Sequence, residues 1–252
     1  MPKKLSERST TAKEPMIFNA YIDGFNLYKS ALEKRPELKW LDLIKFSEAS
    51  QPGHSLNQVF YFTARIKERF SGDDAPRRQH AYLRALRATG VEIVLGRFTK
   101  DRDWLRLESK EHRKSIEPNL EDLEGSIQSA FDKSWVEAEP DSMKAKIWKF
   151  GEKGSDVNLA SYLLMHVLRD GLKGALVISG DSDLATPIRI AKASGAEIRV
   201  ISPSKGSPRV ELREASSSFE ELNLNKLLNF QLASNVSPAK GKLITRPISW
   251  RR

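Results

Sequence analysis

One stretch, residues 175–184 (ALVISGDSDL), constrains the fold of this chain more than any other. It begins with an unbroken apolar run and then turns at Gly180, where it presents Asp181 and Asp183. An apolar run without polar alternation is typical of a strand covered on both faces, as in a parallel sheet. Ligands of open α/β sheets bind just outside the carboxyl ends of such strands. We therefore expect these two carboxylates to serve chemistry rather than packing.

Two more acids follow predicted strands in the same way. Residues 16–22 form a strand pattern that leads into Asp23, with Gly24 permitting a sharp turn. Asp156 follows residues 148–150 and a glycine-rich turn. If the three strands lie together in one parallel sheet, Asp23, Asp156, Asp181 and Asp183 converge on one pocket.

The remaining sequence predicts a βαβ rhythm with one interruption. Further strands are predicted at 58–63, 91–95, 146–150 and 197–201, and helices at 26–34, 38–49, 75–89, 156–170 and 182–194. Residues 96–147 carry dense mixed charge and break the rhythm, so they are interpreted as an insertion or lid. The expected organisation is a disordered tail at 1–14, a main domain at 15–204, a C-terminal helical extension at 205–232 and a basic tail at 233–252.

The amino-acid composition excludes several kinds of functional site. The chain has no cysteine, which excludes disulfides, thiolate metal sites and a cysteine nucleophile. The two ends, residues 1–15 and 235–252, supply +7 of the formal net charge of +9, so the charge describes the tails more than a binding groove. No apolar run approaches the ~20 residues that span a bilayer, so we expect a soluble cytoplasmic protein without a membrane partner. Homo-oligomer formation is left open.

Three short sequences, taken in order, resemble the motifs of the NYN domain, which belongs to the PIN-like group of metal-dependent nucleases. They are residues 21–27 (YIDGFNL), 153–157 (KGSDV) and 179–184 (SGDSDL). The resemblance implies a Rossmann-like three-layer α/β/α sandwich with a mostly parallel central sheet. It also implies an acidic site that binds Mg²⁺ or Mn²⁺ and cleaves RNA. By motif position the site consists of Asp23, Asp156, Asp181 and Asp183, with Asn26 as a polar helper. The long charged segment 96–147 departs from the family pattern.

The residue types agree with a hard divalent ion. Clustered carboxylates repel one another unless a cation neutralises them or some are protonated. Oxygen ligands without cysteine or clustered histidine favour Mg²⁺ or Mn²⁺ over zinc. Asp181 and Asp156 are the preferred ligands, and Asp23 would hold a second ion or orient the nucleophile. Asp183 is open to a partly structural role. The expected reaction is hydrolysis of RNA phosphodiester bonds.

Several side chains are candidates for substrate binding, and each has a simpler explanation. These candidates are Lys153, Ser179, Ser182, Arg77 and Arg84. A solvated turn explains the lysine, bonds to the acids or backbone explain the serines, and a solvated helix face explains the arginines. An aspartate after a strand also commonly caps the next helix.

Two other functions stay open at this point. A domain of the same fold could bind RNA or a partner protein without cutting. A small-molecule monooxygenase is a further alternative, because relatives of this domain sometimes carry that label. The chain has no GxGxxG fingerprint for a dinucleotide cofactor.

Overall fold

The central feature of the fold is a six-stranded parallel sheet. A computed structural model of the chain describes residues 15–106, 144–204 and 210–251. The strands are β1 (Ile17–Asp23), β2 (Ser55–Thr63), β3 (Glu92–Leu95), β4 (Arg97–Arg106), β5 (Lys144–Lys153), β6 (Gly174–Ile178), β7 (Glu197–Ser202), β8 (Ser218–Glu221), β9 (Asn235–Val236) and β10 (Ile244–Thr245). The order in the main sheet is β3-β2-β1-β6-β7-β8, and every neighbouring pair runs parallel.

Helices cover both faces of this sheet. They are α1 (Gly24–Leu27), which continues as a π-helical turn (Tyr28–Leu32), α2 (Leu43–Ser50), α3 (Ala75–Ala88), α4 (Ser155–Leu168), α5 (Ala185–Ala193) and α6 (Val210–Ala215). Short 3₁₀ turns lie at Pro36–Leu38, Ser182–Leu184, Leu224–Asn229 and Ile248–Trp250. No helix in these described parts of the chain is long and apolar enough to cross a membrane.

Side chains of β1 alternate between two separate cores. Phe18, Ala20 and Ile22 pack with residues of α2 and α3 on one face, whereas Tyr21 packs with α4, α5 and α6 on the other. This alternation is the period of two that a strand imposes on its side chains. A sheet with a helical layer on each face confirms the predicted α/β/α sandwich.

The strand order places a topological switch point between β1 and β6. From β1 the chain builds outward through β2 to β3, and from β6 it builds in the opposite direction through β7 to β8. Helices on the two sides therefore diverge, which leaves a crevice at the carboxyl ends of the two central strands. Asp23 ends β1, and Ser179 directly follows β6.

One predicted strand does not belong to this sheet. The strand expected at 146–150 forms as β5, but it pairs with β4 in a separate two-stranded sheet. Its sequence alternates lysine with apolar residues, a pattern unsuited to a strand buried on both faces. The expectation that a third central strand carries Asp156 is therefore wrong. The chain divides by compactness into residues 1–97 with 153–252, and residues 98–152.

The C-terminal part also differs from the prediction. The helical extension expected at 205–232 contains α6, but β8 follows and joins the main sheet, so β7 is not the last strand. β8 is short and polar, as edge strands often are, and it lacks the apolar run that marks a buried strand.

Residues 233–251 are packed rather than a loose basic tail. Trp250 is buried beside Trp40 and Tyr82, and the indole N–H of Trp40 donates to the carbonyl of Ala233 at 2.8 Å. A few apolar anchors in a basic sequence suffice to fix the segment. The predicted tail at 1–14, the predicted linker at 205–209 and most of the predicted insertion, 107–143, lie outside the described residues.

Candidate functional site

Asp23 is the innermost acid of the switch-point crevice. It ends β1 beside β6, and its side chain is buried. One carboxylate oxygen, Oδ1, accepts a hydrogen bond from the backbone N–H of Asn26 at 2.9 Å, which caps α1. The other oxygen, Oδ2, accepts from the Ser179 hydroxyl at 2.9 Å. Both oxygens are thus held by the protein.

Ser179 connects this inner acid to the next one. While its hydroxyl donates to Asp23, the same oxygen accepts from the backbone N–H of Asp181 at 3.1 Å. Asp181 then caps the following 3₁₀ turn by accepting from the N–H of Asp183 at 3.1 Å through Oδ1. Its second oxygen, Oδ2, accepts no hydrogen bond from the described residues and is available to a ligand.

The turns after β1 and β6 are also joined directly. Asn26 accepts from the backbone N–H of Gly180 through its side-chain Oδ1 at 2.9 Å. A Cβ at Gly180 would lie 2.9 Å from the Ser204 hydroxyl oxygen, so a glycine permits this close approach. The predicted polar helper therefore fixes the two acid-bearing turns to each other.

Asp156 reaches the same region from a helix start. It lies in the first turn of α4, which begins after Gly154 in a left-handed conformation with φ of 86°. Its side chain is exposed. Its charge acts on Asp23 across the crevice, so the structure brings the two together although no sheet strand carries Asp156.

The pKa of Asp23 is shifted by its burial and by the charged and polar groups near it. Burial raises the pKa of the Asp23 carboxyl above its usual value, and the negative charges of Asp181 and Asp156 raise the pKa further. The hydrogen bonds from Asn26 and Ser179 oppose this rise in pKa. None of the predicted acids forms an ion pair with a described lysine, arginine or histidine. The three carboxylates therefore share an edge of uncompensated negative charge.

This edge suits a hydrated ion better than a closed metal cage. Among the residues that the structure describes, no three His, Asp or Glu side chains stand close enough to enclose an ion. Mg²⁺ commonly keeps several waters and takes one or two carboxylates plus substrate phosphates. The open oxygen of Asp181, the exposed Asp156 and the all-oxygen donor set fit that mode.

The remaining predicted residues occupy different places. Asp183 is exposed in the 3₁₀ turn, and its described contribution is a backbone N–H bond to Asp181. Ser182 and Lys153 are exposed beside their respective turns. On α3, Arg77 pairs with Asp74 at 2.7 Å, and Arg84 donates to the carbonyl of Lys242 at 3.3 Å. No described contact joins either arginine to the acids.

Helix capping explains part of this arrangement but not all of it. Asp23 and Asp181 do cap helical turns, and a carboxylate in the first turn of α4 interacts favourably with the helix dipole. Capping alone does not require Asp23 to be buried. It also does not explain why the Ser179 hydroxyl connects Asp23 to the backbone of Asp181, or why three carboxylates share one edge with no described lysine, arginine or histidine paired to them.

A row of hydroxyl groups beside the acids was missed by the sequence reasoning. Ser202 ends β7 and is buried, and Ser204 bonds to Ser30 at 3.1 Å between hydroxyl oxygens. Both hydroxyl oxygens of Ser202 and Ser204 approach Gly180. Only the strand order, which sets β7 beside β6, reveals that this serine pair belongs to the edge.

The first turn is ill-suited to a dinucleotide. In dinucleotide-binding sheets of this strand order, the pyrophosphate lies at the N-terminus of the first helix. Here the Asp23 carboxylate already occupies that N-terminus. A Cβ on Gly24 would meet Tyr61 Cζ at 2.5 Å and the Phe62 carbonyl at 2.8 Å, so the turn is packed against β2.

The structure defines a doubly wound α/β domain with carboxylates at the switch point of its parallel sheet. Residues 124–223 match the family model of the NYN domain. The match spans 100 of the 252 residues, so this part of the chain resembles the NYN domain, a family of the PIN-like nuclease superfamily. The match includes Asp156, Asp181 and Asp183 but not Asp23, which β1 brings to the same edge.

Two individual proteins also resemble the chain. It is 26% identical over 266 aligned positions to 6-hydroxy-3-succinoylpyridine 3-monooxygenase HspA of Pseudomonas putida, an alignment covering 94% of this chain and 76% of that protein. A crystal structure of a protein of unknown function from Vibrio parahaemolyticus superposes with a TM-score of 0.47 and 14% identity, covering 88% of this chain and 99% of the other.

Proposed function

We propose that this protein is a metal-dependent ribonuclease that hydrolyses RNA phosphodiester bonds at the switch-point edge. The observation that carries the proposal is the hydrogen-bonded unit of Asp23, Ser179 and Asp181, on which the charge of Asp156 acts and to which no lysine, arginine or histidine of the described residues is paired. An anionic substrate would be repelled from such an edge unless a cation mediated the contact.

The proposed roles follow from which oxygens are free. Asp181 and Asp156 offer exposed carboxylate oxygens and would hold Mg²⁺ or Mn²⁺. Asp23 contributes fixed negative charge and, through Ser179, orients Asp181. Asn26 keeps the two turns together, and Asp183 supports the cap on Asp181. When bound, the ion would neutralise charge on the phosphate and favour attack by water.

Substrate binding would use groups around the edge. Lys153, Ser179 and Ser182 lie at or beside the acid-bearing turns and are proposed to contact the sugar-phosphate chain. Arg77 and Arg84 on α3 remain proposed phosphate contacts, although their described bonds go to the protein itself. RNA is the proposed partner, and the cytoplasm is the proposed location.

The decisive experiment is an RNA cleavage assay with Asp181→Asn. Wild-type protein should cut labelled RNA with Mg²⁺ or Mn²⁺ and not with EDTA, and Asp181→Asn should lose at least about a hundredfold in rate. Asp170→Asn is the matched control, because Asp170 lies beyond the opposite end of α4 and pairs with Arg169. Equal cleavage by wild type and Asp181→Asn would refute the proposal.

A second candidate function comes from the relative named a monooxygenase, which aligns with 94% of this chain. Incorporating one oxygen atom into a hydroxypyridine requires two electrons from a reductant and a group that activates oxygen. The Asp23 turn disfavours a dinucleotide at the usual position, so this function ranks second. Oxygen uptake with 6-hydroxy-3-succinoylpyridine, NADH and added flavin tests it. Product formation without RNA cleavage would reverse the ranking.

A non-catalytic binding module is the remaining alternative. Such a module would bind RNA or a protein with the same affinity when Asp181 is replaced by Asn, and it would yield no metal-dependent product. The same cleavage and binding measurements separate it from the ribonuclease.

A further inference from the structure

Two aromatic side chains are exposed on the helix that starts at the inner acid. Phe25 is 40% exposed and Tyr28 is 37% exposed. They are three residues apart, so they lie on one face of the helix, about 5–6 Å apart at Cβ. Asp23 caps the same helix, which places both rings within about two turns of the acids.

The backbone under Tyr28 is irregular. Residues Tyr28–Leu32 form a π-helical turn in which the N–H of Glu33 donates to the carbonyl of Tyr28 at 2.8 Å. Such turns in short helices are uncommon and frequently occur at functional sites. Here the π-helical turn begins at the residue that carries the exposed ring.

One cationic side chain contacts this ring, and charges of both signs act on it. The ammonium of Lys39 lies 5.2 Å from the centroid of the Tyr28 ring and 3.5 Å from its hydroxyl oxygen. The negative charges of Glu33 and Asp73 and the positive charges of Arg69 and Arg78 also act on the Tyr28 hydroxyl. Proteins that bind single-stranded nucleic acids combine exposed aromatic side chains, on which bases stack, with cationic side chains, which contact the phosphates.

The charged side chains near Tyr28 differ in whether they already form an ion pair within the protein. Arg69 pairs with Asp73 at 3.2 Å and Arg78 with Asp74 at 2.8 Å. Glu33, which also faces Tyr28, is paired with Lys29 at 2.6 Å. Lys39 forms no ion pair with a described carboxylate, and it is half-buried against Tyr28. Lys39 is therefore the cation best placed to take a phosphate beside the ring.

We propose that the surface formed by Phe25, Tyr28 and Lys39 binds single-stranded nucleic acid and leads it to the acids, with an unpaired base stacked on Tyr28 and a phosphate at Lys39. This inference rests on the proposed function and narrows its substrate to unpaired strands. A duplex keeps its base faces stacked inside the helix, so only unpaired nucleotides can use the ring.

The test measures RNA affinity in the cleavage-deficient Asp181→Asn protein. A labelled single-stranded RNA and the same sequence annealed to its complement are titrated with Asp181→Asn carrying Tyr28→Ala, Tyr28→Phe or Lys39→Gln. We expect Tyr28→Ala to weaken single-strand binding about tenfold, Tyr28→Phe to retain it within about twofold, and duplex binding to change little with any Tyr28 variant. Lys39→Gln should weaken single-strand binding and flatten its salt dependence.

Matched controls separate this surface from general damage. Leu243→Ala removes a side chain that is 54% exposed, and Lys173→Gln removes an exposed cation directly before β6, at the end of the sheet opposite the acids. Unchanged single-strand affinity in Tyr28→Ala, or equal losses for single strand and duplex, would overturn the inference even if wild type cleaves RNA. If wild type neither binds nor cleaves RNA, the proposed function fails as well.

Discussion

The two central strands end in carboxylates of opposite character. Asp23, after β1, is buried and has both oxygens engaged by Asn26 and Ser179. Asp181, after β6, is only half-buried, and one of its oxygens accepts no described hydrogen bond. Ile22 pairs with Ile178 in the sheet, so Asp23 lies level with Ser179 and Asp181 follows two residues later, outside the strand. The Ser179 hydroxyl connects the two, because it donates to the Asp23 carboxylate and accepts from the Asp181 N–H.

This contrast suggests different functions for the inner and the outer carboxylates of the edge. A carboxylate that is already fully hydrogen-bonded cannot easily take a ligand directly, but its charge acts on everything nearby. A carboxylate with a free oxygen can. Under the proposed function, the inner acid would therefore supply fixed charge, and the outer acids, Asp181 and Asp156, would hold the metal ion.

The largest expected effect is on Asp23→Asn. Loss of the fixed charge should reduce RNA cleavage at least about a hundredfold, although Asn can still accept from the Asn26 N–H. Without metal the same change should leave the free energy of unfolding unchanged or higher at neutral pH, because it removes a buried repelling charge. Urea denaturation in EDTA and cleavage rates in Mg²⁺ measure the two effects. A variant that is both unstable in EDTA and fully active would contradict the division.

The next prediction concerns the bridge between the two acids. Ser179→Ala removes the donor to Asp23 and the acceptor for the Asp181 N–H, so Asp181 loses its orientation. Residues that orient metal ligands typically change metal affinity about 10–100-fold, and we expect that loss for Mg²⁺ by calorimetry. Ser161→Ala, at an exposed position on α4, is the control. Unchanged Mg²⁺ affinity in Ser179→Ala would mean that the serine acts on substrate instead.

A third prediction uses the raised pKa of Asp23. Because its pKa in the folded protein lies above the usual 3.8, protonation favours the folded state. The contribution of Asp23 to the free energy of unfolding is therefore fully present below pH 3.8 and is lost as the pH rises through the folded-state pKa. Each unit of pKa difference corresponds to about 1.4 kcal/mol.

The difference between wild type and Asp23→Asn isolates this contribution from the other carboxylates. In EDTA, the wild type should lose stability relative to Asp23→Asn as the pH increases from about 4 to neutral. Chemical denaturation at several pH values measures the difference. A difference that stays constant, or one in which the wild type gains stability relative to Asp23→Asn as the pH rises, would contradict a raised pKa of Asp23.

The sequence predicted most of the sheet and the acids that belong to it. Apolar runs that stop at an acid identified the ends of β1 and β6, because a strand covered on both faces leaves an unambiguous pattern. The glycine-rich turn before Asp156 and the NYN resemblance both indicated this acid, which lies at the start of α4 instead of after a sheet strand. Short polar strands such as β8 gave no comparable signal.

The sequence could not predict how the acids differ. Ser179 stands next to Gly180 in the chain, and nothing in that order reveals a hydroxyl that donates to the Asp23 carboxylate and accepts from the Asp181 N–H. The surface around Tyr28 was equally hidden, because Lys39 reaches the ring only through the turn between α1 and α2. The packing of the C-terminal segment was not predicted, because it depends on a contact between Trp250 and Trp40, which are far apart in the sequence.

The smallest expected effect is on Asp183→Asn. The Asp183 side chain is exposed, and its described bond to Asp181 uses the backbone N–H, which the substitution retains. The charges that raise the pKa of Asp23 include those of Asp181 and Asp156, which marks these two as the acids nearest the centre. We therefore expect cleavage to fall only about two- to fivefold, through a weaker negative potential at an exposed site. Cleavage rates measured beside Asp181→Asn give the ratio directly. If both variants lose activity equally, Asp183 is a ligand of the same rank, and the division between inner and outer acids must include it.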